Sequence, residues 1–100
     1  MPENNNLNLL QRIGKYSDSL TPKQIHLAKY IEQNYPSLAY TTMTKLAHLA
    51  DVSETTVVRL IYALGYSGFP EFKNALRYMI EQSTPVINEM SRYELRKQKY

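Results

Sequence analysis

One hundred residues with 43% hydrophobic and 21% charged side chains make at most one globular domain, not a disordered tail. Cysteine is absent, which excludes a disulfide framework and a thiolate metal site. A net charge of +3 suits an anionic partner without demanding one.

The N-terminus, MPENNNLNLLQRI, has no positive region leading into an apolar core, so it does not read as a signal peptide. No apolar run approaches the length that spans a bilayer. The expectation is a soluble, cytoplasmic protein with no membrane partner.

Met1 to Asn6 is polar and expected to fray. Leu7, Leu10 and Ile13 then predict a first helix over 7–17, its stripe widened by Leu9 and Tyr16. Ser17-Asp18-Ser19 is a break. Thr21-Pro22 starts a second helix, with Thr as N-cap and Pro at the first helical position. Ile25, Leu27, Ala28 and Ile31 form its buried side. Lys23, Gln24, Lys29 and Glu32 are expected on the solvated side, and the helix ends near Asn34. Pro36 forbids continuation. Residues 35–41 connect onwards, with Leu38 and Tyr40 expected against the core.

Thr42 or Thr44 can cap a short third helix whose apolar positions are Leu46, Ala47, Leu49 and Ala50. Asp51-Val52 is the connection. Ser53 then caps SETTVVRLIYALG, in which Val57, Leu60, Ile61 and Leu64 recur at i, i+3, i+4 and i+7. Gly65 suits the left-handed turn that ends such a helix. Two short helices so joined make a helix-turn-helix. Ala47 is small where the axes approach, Val52 can plug the turn, and Asp51 stands where many such motifs have glycine.

Pro70 opens a further helix to about Gln82, with Phe69, Phe72, Leu76 and Met79 or Ile80 on its apolar face. Thr84-Pro85 breaks it, and VINEMSRYELRKQKY reads as a helix or linker leading out. No alternating β-branched run competes. The fold class is all-α, a five- to six-helix bundle containing a helix-turn-helix. Residues 1–82 form the domain and 83–100 the exit segment.

Catalysis has little to stand on. His26 and His48 sit in different helices without a metal-binding partner in spacing. Helix capping accounts for Ser53. The carboxylates are scattered singly, and no Gly-rich phosphate loop occurs. Hence no catalytic residue, cofactor or metal is expected. The tyrosines, among them Tyr30, Tyr35, Tyr40, Tyr62, Tyr66 and Tyr78, suit half-buried core edges and dimer contacts better than base stacking.

The remaining functional pattern fits a DNA duplex. A recognition helix enters the major groove with its first residues on base edges. This puts Glu54, Thr55 and Thr56 near bases, and lets Arg59 reach guanine or a phosphate. Thr42, Thr44, Lys45 and Ser53 are candidate phosphate contacts at helix N-termini. The alternative is a small helical protein–protein interaction module. A protein-binding groove would want exposed Leu, Met or Phe on the face that here carries Glu54, Thr55, Thr56 and Arg59.

From Leu46 to Leu76, LAHLADVSETTVVRLIYALGYSGFPEFKNAL resembles the N-terminal DNA-binding domain of the RpiR family of bacterial transcription regulators. The matching pieces are LA, VS, TVVR, LG, the GF of Gly68-Phe69, and EFK at Glu71-Phe72-Lys73. LTPKQIHLAKYIEQNY extends the likeness more loosely, so that it covers most of residues 7–80. The resemblance implies a DNA-binding domain of a regulator of sugar or phosphosugar metabolism. It places Lys73 at the start of the following helix, against the DNA backbone or in a salt bridge. A homodimer is the expected state. Family members usually carry a C-terminal sugar-isomerase-like domain that senses phosphosugars, and nothing in this chain resembles it.

Overall fold

The computed structural model describes residues 7–83. Five helices make up the bundle: α1 (Leu9–Tyr16), α2 (Pro22–Asn34), α3 (Met43–Ala50), α4 (Glu54–Ala63) and α5 (Phe69–Ser83). Short 3-10 turns at Ser17–Ser19 and Tyr35–Leu38 join the first three, and no strand occurs among the described residues. The expected frayed start at 1–6 and nearly all of the exit segment at 83–100 lie outside them.

The helix starts follow from local capping. Asn8 Oδ1 accepts from Gln11 N–H at 2.8 Å, and Gln11 Oε1 accepts from Asn8 N–H at 2.9 Å. Thr21 and Gln24 repeat this reciprocal box at 3.2 and 3.0 Å. That bond draws Gln24 back over the helix start and buries it, so Gln24 is not on the solvated side. Thr42 caps α3 by accepting from Lys45 N–H at 3.0 Å. Ser53 caps α4 by accepting from Thr56 N–H at 3.1 Å.

Both helices of the motif end in the same way. After α3, Asp51 sits in the left-handed region at φ 60°, Asp51 N–H donates to His48 O, and Val52 N–H donates to Ala47 O. After α4, Gly65 sits at φ 92°, Gly65 N–H donates to Tyr62 O, and Tyr66 N–H donates to Ile61 O. This is the six-to-one, five-to-two closure of a Schellman turn. Aspartate fills the first turn with a Cβ that the conformation disfavours. Asp51→Gly is therefore expected to raise stability by about 0.5–1 kcal/mol, strain relief outweighing backbone entropy. Thermal melting checks this; a lowered midpoint would show that Asp51 contributes more than it strains.

The core gathers Leu27, Ile31, Leu38, Leu46, Val57, Leu60, Ile61, Leu64, Phe72 and Leu76, all essentially sealed from solvent. Val57 and Leu60 face inward, as the helix-turn-helix requires. Burying side chains of this kind contributes about 1.5–3 kcal/mol each.

Leu7, Leu10, Ile25, Leu49 and Tyr40 are less buried than expected. In α1 the buried face is Leu9 and Ile13 with Arg12, while Leu10 is half-buried, as is Leu7 ahead of the helix. In α2, Ile25 is half-buried beside the sealed Leu27, Ala28 and Ile31. Leu49 is exposed, because Leu46, Ala47 and Ala50 define a buried arc and Leu49 lies about 100° from its centre. Tyr40 is 86% exposed rather than tucked in. The carbonyls on either side of it are held by α5: Lys73 Nζ donates to Thr41 O at 2.6 Å, and Arg77 donates to Ala39 O at 3.4 Å.

Candidate nucleic-acid interface

The outer face of α4 presents Glu54, Thr55, Arg59 and Tyr62 to solvent, with Thr56 half-buried. Glu54, Thr55, Thr56 and Arg59 lie on the first two turns, at the end where free amides form the positive pole of the helix. Ser53 Oγ and Thr56 Oγ1 lie 3.1 Å apart, so both hydroxyls are tied into the helix start.

The end of α3 nearest its cap joins this surface. Thr44 Oγ1 donates to Glu54 Oε2 at 2.6 Å. Thr42 and Lys45 are exposed on the same first turn of α3. The candidates Thr42, Thr44, Lys45, Ser53, Glu54, Thr55, Thr56 and Arg59 therefore belong to two adjoining helix starts.

Lys73 is placed differently. Its ammonium donates to Thr41 O and lies 5.2 Å from the Phe69 ring centre. Burial, and then repulsion from Arg77, hold its pKa below the usual lysine value. What Lys73 does in the fold is anchor the residue that precedes the Thr42 cap.

Lys23 is the residue that sequence patterning left out. The start of α2 packs beside the start of α4. One shallow notch is lined by Thr21, Pro22, Lys23, Thr56 and Arg59, and a second by Lys23, His26, Asp51, Val52 and Ser53. Lys23 thus adds a second cation beside Arg59. The Thr-Pro signal shows where α2 begins, but not that this end meets α4. His26 helps to set that contact: its Nε2–H donates to Ala50 O at 2.9 Å, tying α2 to the end of α3.

The far end of α4 is also fixed. Arg12 is 6% exposed and donates to Leu64 O at 3.0 Å, with its guanidinium 4.2 Å from the centre of the Tyr66 ring. Burial raises the Tyr66 phenol pKa, opposed in part by Arg12. A cation at a helix C-terminus meets the negative end of the dipole and an open carbonyl. α4 is consequently held at both ends, by Ser53 and Thr44 at its start and by Arg12 at its finish.

Two short helices joined by a tight turn, the second with a polar outer face, sit inside a five-helix bundle and make a helix-turn-helix. Among the described residues no group of His, Cys, Asp or Glu side chains could hold a metal ion. Residues 7–83 match the helix-turn-helix domain of the rpiR family, and the chain belongs to that family of transcription regulators. It is 32% identical over 82 residues to the HTH-type transcriptional regulator HexR of Pseudomonas aeruginosa, covering 82% of this chain and 29% of that protein. It is 28% identical over 72 residues to GlvR of Bacillus subtilis, covering 72% of this chain and 28% of that one. The solved structure of Vibrio vulnificus NanR complexed with ManNAc-6P superposes with a TM-score of 0.67 at 32% identity. That match covers 85% of this chain and 32% of NanR. The chain thus spans about a third or less of the length of these relatives.

Proposed function

We propose that this domain reads duplex DNA with residues 53–59 in the major groove, as part of a cytoplasmic regulator of sugar or phosphosugar genes. The polar cluster built from the starts of α3 and α4 supports this most strongly. It supplies hydroxyls, a carboxylate and a guanidinium where a groove offers donors and acceptors. Thr42, Lys45 and Ser53 take phosphates, and Lys23 joins them from α2. Arg59 takes a guanine edge. Lys73 serves from behind, by holding Thr41.

The ManNAc-6P in the NanR complex supports a phosphosugar effector. In our reading that effector acts through a C-terminal domain outside these 100 residues. Among the described residues no helix is long and apolar enough to cross a membrane.

The domain is expected to act as a homodimer. One recognition helix covers too few base pairs for a tight specific site, and dimers of this class bind half-sites about 34–36 Å apart. Leu7, just before α1, and Leu10 on it are half-buried and offer apolar surface to an interface that includes the C-terminal segment. Sedimentation should show a dimer at high concentration; a monomer throughout would count against the homodimer.

Leu49 and Tyr62 are exposed, at 44% and 58%, and a protein-interaction module would use them. Selection of random duplexes on the purified chain separates the readings. Enrichment of a defined sequence supports DNA recognition. No duplex bound, even at low salt, would favour the interaction module.

A further inference from the structure

Thr44 and Glu54 make the hydrogen bond that bridges the two helices of the motif on its exposed side. At 2.6 Å it falls in the range of about 2.5–2.7 Å of strong hydroxyl–carboxylate bonds. Glu54 is the first residue of α4 and Thr44 the second of α3. An exposed glutamate otherwise samples many rotamers, and ordering it during binding costs entropy. A fixed donor on the neighbouring helix removes much of that freedom before DNA arrives.

The bond also determines what the carboxylate can meet. An ionised carboxylate only accepts, and Thr44 engages one of its two oxygens. Phosphate is excluded as its partner by charge. On major-groove edges, guanine shows two acceptors, thymine one acceptor and a methyl, and adenine a donor beside the N7 acceptor. Cytosine alone shows a donor with no acceptor on the same base. We propose that Glu54 selects cytosine, and that Thr44 is the positioning residue for it rather than a phosphate contact. This rests on the DNA-binding reading above.

The test is a random-duplex selection, sequenced, on the unmutated chain and on Thr44→Val, Thr44→Ser and Glu54→Gln. Valine keeps the shape of threonine and removes the donor; serine keeps the donor. The unmutated chain should prefer cytosine at one position of each half-site by about tenfold. Glu54→Gln should shift that position towards adenine, which glutamine can pair through N6 and N7. Thr44→Val should weaken the preference at that position, and lose much more affinity for the selected duplex than for random duplex. Thr44→Ser should restore it, which separates loss of the donor from loss of folding. Equal weakening of selected and random duplexes by Thr44→Val, with the cytosine preference intact, would make Thr44 a phosphate contact and overturn the proposal. So would a selected sequence in which no position follows Glu54→Gln, although DNA recognition would then stand. No enrichment by the unmutated chain would overturn DNA recognition itself.

Discussion

Arg12→Ala is expected to destabilise the domain by about 2–3 kcal/mol and to lower its thermal midpoint by roughly 10–20 °C. Hydrogen bonds from charged donors are worth more than neutral ones, and this one reaches a carbonyl at the end of α4, where no intrahelical amide remains to serve it. The substitution also removes the guanidinium from the Tyr66 face and the packing of its stem. Domains of this size are stable by about 5–15 kcal/mol in total, so the loss is a large share. Circular dichroism melting measures it directly. Arg12→Met separates the contributions, because methionine fills space but cannot serve Leu64 O. A midpoint within two or three degrees of the unmutated value for both variants would mean that the anchor adds little. Below its own midpoint, Arg12→Ala should keep the DNA sequence preference, since Arg12 lies at the opposite end of α4 from Glu54.

Arg59→Ala should have the largest effect on binding. It is the long cation on the exposed face of α4, and a bidentate pair with guanine O6 and N7 carries about 1–3 kcal/mol of discrimination. The loss should therefore appear on the selected duplex and be much smaller on random DNA. Lys45→Ala provides the contrast. A phosphate contact should weaken both duplexes alike and reduce the slope of log affinity against log salt by about one. Titrations of both variants on both duplexes at several salt concentrations decide this. Equal losses for Arg59→Ala on the two duplexes would make Arg59 a backbone contact. Specificity would then rest on Glu54, Thr55, Thr56 and DNA shape.

The parts legible in sequence are those governed by neighbours within a turn or two. Ser53 and Gly65 bound α4 because a hydroxyl cap and a positive φ are local requirements. Thr21-Pro22 starts α2 for the same reason. Val57, Leu60, Ile61 and Leu64 announce the core because a helix must bury one face. The polar outer face of α4 was equally plain.

What escaped depends on contacts distant in sequence. Arg12 carries no local signal, because its acceptor, Leu64 O, lies 52 residues away. Tyr40 reads as core until Lys73 and Arg77, from α5, hold the carbonyls beside it and leave the ring outside. Lys73, a candidate DNA contact from the resemblance, has its place in the fold through the same bond to Thr41 O. Lys23 gains its place only because the start of α2 meets the start of α4. Thr44 was visible as a helix-start hydroxyl, but its acceptor on the next helix was not.

In the proposed complex the starts of α3 and α4 form the surface that meets DNA. Backbone amide shifts recorded during titration with the selected duplex test it most directly. The largest changes should fall on Thr42–Lys45 and Ser53–Arg59, with smaller ones at Lys23 and almost none at Asn74 and Tyr78 on α5. Changes concentrated on α1 and α5, with Glu54 to Arg59 unmoved, would contradict it.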